Sequence, residues 1–139
     1  MRHLVREAGL EDEIEIDSAG TGGWHVGTAP DARSAAAAAR RGITLDGAAR
    51  KVALGDYSDF DLLLAMDHEN HAELLRLAPD EESRAKVRYL REFDPASAAR
   101  GDLEVPDPYY GGDRGFEDVL DLVDAACRGL LAEITASRA

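Results

Sequence analysis

Asp59-Phe60-Asp61-Leu62-Leu63-Leu64-Ala65-Met66-Asp67 is the stretch that decides how this chain folds. Phe60 to Met66 is a compact apolar run with one carboxylate inside it. A run this short reads as a buried strand of a parallel sheet. Asp67 then has the position and chemistry of a helix N-cap, and the helix runs through about Leu77, ended by Pro79. A strand that turns at once into a capped helix is the opening of a βαβ unit.

Working outward, Lys86 to Leu90 reads as the next strand. Upstream, Glu13 to Asp17 alternates, with Ile14 and Ile16 on one face, and is expected to be a strand as well. Met1 to Ala8 reads as a short helix stopped by Gly9. Residues 32–41 are an Ala-rich helix, with Asp31 as its N-cap and Gly42 as its stop. Gly115 to Ile134 is a long amphipathic helix whose apolar stripe includes Val119, Val123, Cys127 and Leu130. Residues 94–114 read as one long loop. The expected fold is α/β, three layers with a small parallel sheet flanked by helices, in a single domain over 1–139. In such sheets ligands sit at the carboxyl ends of the strands. The loop Ser18–Gly27, the turn at Asp67 and the loop after residue 94 should therefore meet on one edge.

The chain has 139 residues, 45% of them hydrophobic and 32% charged, which fits one soluble globular domain. A formal charge of −12 argues against nucleic acid or an anionic membrane as partner, since both need a basic face. No apolar run reaches the length of a membrane span, and a single cysteine suits a reducing cytoplasm.

Chemistry concentrates in Val105-Pro106-Asp107-Pro108-Tyr109-Tyr110-Gly111-Gly112. Two prolines stiffen the backbone around Asp107, and the glycines let the chain turn away. A carboxyl group beside two aromatics is suited to general-acid work, although Pro, Asp and Gly are also ordinary turn residues. Trp24 could wall an aromatic slot or pack as core. His68 and His71 have a spacing that metal ligands use, but no third ligand accompanies them, so no metal is expected. Cys127 lies deep in its helix and is followed six residues later by Glu133, so it reads as core rather than as a nucleophile.

Asp17-Ser18-Ala19-Gly20-Thr21, Trp24-His25-Val26-Gly27, Pro30-Asp31-Ala32-Arg33, Ala65-Met66-Asp67 and Asp107-Pro108-Tyr109-Tyr110-Gly111, in this order, resemble the low-molecular-weight protein tyrosine phosphatases. The resemblance implies a cytoplasmic phosphatase acting on phosphotyrosine-containing proteins without metal or organic cofactor. It gives Asp107 the role of catalytic general acid and base. Trp24, Tyr109 and Tyr110 would line the slot for the substrate ring, and Ser18 and Asp67 would brace the phosphate loop. The family's first central strand and its Cys-x5-Arg phosphate loop have no counterpart in these residues, so this chain alone is expected to be inactive. Gly47 stands where many members have a histidine that supports that loop. The alternative is a non-catalytic relative that binds a partner or forms a strand-exchanged homodimer. Arsenate reduction, known on the same fold, would need reactive cysteines.

Overall fold

The computed structural model describes residues 1–21, 32–43, 50–106 and 115–137. In chain order the elements are α1 (Arg2–Glu7), α2 (Ala32–Ala39), α3 (Asp56–Asp59), β1 (Leu63–Ala65), α4 (His68–Leu77), α5 (Glu81–Ala85) and β2 (Val87–Tyr89). A 3-10 turn (Leu90–Phe93), α6 (Pro95–Arg100) and α7 (Gly115–Ser137) complete them.

β1 and β2 pair in parallel, with Leu63 opposite Val87 and Ala65 opposite Tyr89. The strand alternation sorts the core into two layers, because successive side chains leave a strand on opposite faces. Leu63 and Ala65 join Tyr57, Leu74 and Val87 on one side. Leu62 and Leu64 pack on the other side against a cluster of Leu4, Leu90, Phe93, Ala126, Cys127 and Leu130. The sheet therefore lies between α3 and α4 on one face and α1 and α7 on the other. Both layers are apolar where they meet it, which is why the Phe60–Met66 run carries so little polarity.

The turns between elements are set by local chemistry. Asp67 accepts a hydrogen bond from the Asn70 amide at 2.7 Å and starts α4. Asp80 accepts from the Ser83 amide at 2.8 Å and starts α5. Asp94 caps α6, whose first residue is Pro95, and Gly101 ends it at φ 68°. That φ lies in the left-handed region where glycine carries no steric penalty. α7 crosses the 3-10 turn so closely that a Cβ on Gly129 would sit 1.8 Å from the Phe93 carbonyl oxygen. Arg40 and Arg41, just past α2, hold Glu117 of α7 at 2.8 and 2.7 Å.

Two expectations need correction. Glu13 to Asp17 does not form a strand: residues 11–13 are a turn, and the only ladder contact nearby is a parallel bridge between Gly20 and Lys51 among the described residues. Its alternation buries nothing deeply, and the Ile16 carbonyl accepts from the Arg2 side chain at 2.9 Å instead of from a neighbouring strand. Residues 94–114 are not one loop, because Asp94-Pro95 is a cap followed by a proline in the first turn and α6 fills residues 95–100. The buried strand expected over 60–66 is present as Leu63–Ala65, and the one expected over 86–90 as Val87–Tyr89.

Candidate active site

Three chain segments converge where β1 ends. The first is Gly20-Thr21. Gly20 is fixed by its N–H donating to the Arg50 carbonyl at 2.8 Å and by its carbonyl accepting from the Val52 amide at 2.9 Å. The second is Met66-Asp67 with the first turn of α4. Asn70, in that turn, donates from its side chain to Thr21 Oγ1 at 3.4 Å and so links the two segments. The third is the stretch leading to residue 106. The Val105 N–H donates to the Met66 carbonyl at 2.6 Å, and the Glu104 carboxylate accepts from the His68 amide at 2.9 Å.

The electrostatics of this rim are set by paired charges. Arg50 holds Asp56 with two hydrogen bonds, each 3.0 Å, and reaches Asp17 at 3.0 Å. These contacts raise the Arg50 pKa, chiefly through Asp56. Conversely, hydrogen bonding from Arg50, with a smaller share from the Ala53 amide, holds the Asp56 carboxyl below its ordinary range against the opposing effect of burial. Ser18 is exposed, and its N–H donates to Asp17 Oδ1 at 2.8 Å. Ser18 thus neighbours an ion-paired carboxylate, which fixes the backbone leading into Gly20-Thr21.

A second cluster surrounds Tyr89 at the end of β2. His71 stacks on its ring with centroids 4.2 Å apart. His68 Nδ1 and the Tyr89 hydroxyl share a hydrogen bond of 2.7 Å. Burial first, then the carboxylates of Glu104, Glu92 and Asp67, push the Tyr89 hydroxyl up, so it keeps its proton. His68 and His71 are therefore engaged with an aromatic ring. No group of three or more metal-ligating side chains suited to a cation occurs among the described residues. A shallow cavity of about 260 Å³ near Arg2, Arg6 and Ile16 shares no lining residue with the rim.

Sequence profiles identify the chain by its whole length. The profile described as low molecular weight phosphotyrosine protein phosphatase matches residues 1–139. The chain belongs to that family. A low molecular weight protein-tyrosine-phosphatase of Streptomyces coelicolor is 52% identical over 133 residues, which span 96% of this chain and 80% of that protein. Protein-tyrosine phosphatase A of Mycobacterium tuberculosis is 43% identical over 126 residues, 91% of this chain and 74% of the relative. Among solved structures, a protein tyrosine phosphatase of Entamoeba histolytica with Hepes in its active site superposes with a TM-score of 0.89. It is 33% identical, and the match covers 99% of this chain and 86% of that one. YfkJ of Bacillus subtilis gives a TM-score of 0.87 at 38% identity, over 99% of this chain and 84% of that one. The three-layer phosphatase fold with its small parallel sheet is thereby established.

Against this phosphatase fold, the site residues divide sharply. Ser18 and Asp67 lie on the convergent rim, Asp67 as a helix cap. Trp24, Asp107, Tyr109 and Tyr110 lie outside the described residues, as do Asp31 and Gly47. Pro106, the residue before Asp107, closes the third converging segment. Three rim residues gave no functional signal in the sequence. Arg50 and Asp56 are paired across a turn that no periodicity marks, and Asn70 reads as an ordinary first-turn residue. Cys127 is buried at 4% exposure, and burial pushes its thiol pKa up, as a core residue requires.

Proposed function

We propose that this protein hydrolyses phosphotyrosine in proteins through a phosphocysteine, with Asp107 as general acid and then general base. The observation that carries the reading is the family match over residues 1–139, which includes the Asp-Pro-Tyr-Tyr segment. The rim supports it, since residues 102–105 run to the carboxyl end of β1, where ligands bind in sheets of this kind.

The chemistry runs in two steps. A thiolate of a Cys-x5-Arg loop attacks phosphorus, and the bond from phosphorus to the tyrosyl oxygen breaks. The Asp107 carboxyl gives its proton to the departing phenolate oxygen. Water then attacks phosphorus while the Asp107 carboxylate takes its proton. The sulfur–phosphorus bond breaks, releasing inorganic phosphate and regenerating the thiolate. Trp24, Tyr109 and Tyr110 receive the aromatic ring, and Ser18 and Asp67 brace the phosphate loop. The nucleophilic loop is not encoded within these 139 residues, since the one cysteine, Cys127, has Glu133 six positions on. The reading therefore needs that loop from outside these residues, in a reducing, cytoplasmic setting that keeps its thiol free.

A Cys-x5-Arg segment joined to these residues should complete the enzyme. The polypeptide carrying it should release phosphate from a phosphotyrosine peptide and form an acid-stable phosphocysteine on brief mixing. Absence of a phosphoenzyme would leave the alternative, a non-catalytic relative that binds a partner or forms a strand-exchanged homodimer, as the better account.

A further inference from the structure

We propose that Arg91 is a positioning residue for the general-acid segment, holding residues 102–104, which lead within a few residues to Asp107. The inference rests on the reading of Asp107 given above.

Arg91 is 2% exposed, although it carries a full charge. Its guanidinium donates to both carboxylate oxygens of Asp102 at 3.1 and 3.3 Å and to Ser97 Oγ at 3.0 Å. It also donates to the backbone carbonyl of Glu104, while its Nε has no partner. Burying a guanidinium is costly, and well-packed apolar residues are often as stabilising as a buried ion pair. What an apolar side chain cannot do is fix the direction of a backbone carbonyl. The planar fork of arginine can, because its donors point along set directions.

All of these partners lie in α6 and the segment that follows it. Further bonds hold the same segment: the Asp102 N–H donates to the Ser97 carbonyl at 3.0 Å, and the Val105 N–H to Met66 at 2.6 Å. From Glu104 to Asp107 only three residue steps remain, a reach of about 10 Å at full extension. Pro106 restricts that reach further. A shift of the Glu104 carbonyl is thus passed to the carboxyl group with little slack. Asp102, by contrast, is exposed, so its replacement by Asn opens no cavity in the core.

The test uses Arg91→Lys, which keeps the charge but loses the fork, and Asp102→Asn, which weakens the pair without touching the core. In the polypeptide carrying the Cys-x5-Arg loop, kcat/KM, which reports only the steps up to departure of the phenol, is measured on phenyl phosphate, a poor leaving group, and on 2,4-dinitrophenyl phosphate, a good one. Both variants should lower kcat/KM for the first about 10- to 100-fold, the range expected for a group misplaced by an ångström, and leave that for the second nearly unchanged. Equal slowing of both substrates, or of neither, overturns the inference. Asp107→Asn is the control: if it shows no leaving-group dependence, the general-acid reading itself has failed, and this inference falls with it. On the 139-residue chain as it stands, the Val105 amide should exchange with deuterium faster in Asp102→Asn than in the parent, and by more than amides of α4 and α7 do. Unaltered exchange in both variants also counts against it.

Discussion

The amide of Val105 donates to the carbonyl of Met66 at 2.6 Å. These residues are far apart in sequence, and the bond is not part of the β1–β2 ladder. It fastens the last described stretch before Asp107 to the end of the buried strand. In an open parallel sheet that end is where reacting groups gather. The stretch that leads to the proposed acid is thus tied to a rigid element at Val105, because Met66 directly follows β1.

Among the described glycines, Gly129 has the closest approach to another segment, where α7 passes over the 3-10 turn. Gly129→Ala would place a methyl group 1.8 Å from the Phe93 carbonyl oxygen, and backbone atoms cannot step aside cheaply. We expect a loss of about 1–3 kcal/mol, the usual cost of overpacking, read as a lower urea midpoint. An unchanged midpoint would show that α7 does not approach the turn as described.

Acid sensitivity should trace to the Arg50–Asp56 pair. Arg50 holds the Asp56 carboxyl below its ordinary range, so the folded state binds this proton less readily than the unfolded chain. The stabilisation is present above the unfolded carboxylate value, about pH 4, and is lost as pH falls through the lower folded value. Asp56→Asn should therefore be less stable than the parent at pH 6, and the gap should close towards pH 3. Urea midpoints across that range check it; a gap that widens on acidification would contradict the sign.

Cys127 should behave as core. Burial raises its thiol pKa and blocks access. Iodoacetamide should label it only after denaturation, and Cys127→Ser should retain phosphatase turnover when the Cys-x5-Arg loop is present. Rapid labelling of the folded protein would remove it from the core.

The parts of the fold legible in the sequence are those with strong, redundant signals. Phe60 to Met66 followed by Asp67 reads as a buried strand and a cap, and Gly42 reads as the stop just past α2. Glu13 to Asp17 misled because alternation shows which residues share a face, not whether a neighbouring strand is there to pair with. Asp94-Pro95 was a legible helix start, overlooked inside an apparent loop. The site is harder to read. Asp67 advertises itself by spacing alone. Arg91, between Leu90 and Glu92, resembles any surface arginine, because its burial depends on Ser97 and Asp102 folding back over it. Arg50 and Asp56 are likewise joined only by tertiary structure.

The measurement that bears most directly on the account is the leaving-group dependence of Asp107→Asn in the polypeptide carrying the Cys-x5-Arg loop. If Asp107 protonates the departing phenolate, kcat/KM for phenyl phosphate should fall about 10²- to 10⁴-fold, while that for 2,4-dinitrophenyl phosphate, whose leaving group needs no proton, is far less affected. Equal rates for parent and variant on phenyl phosphate would contradict it.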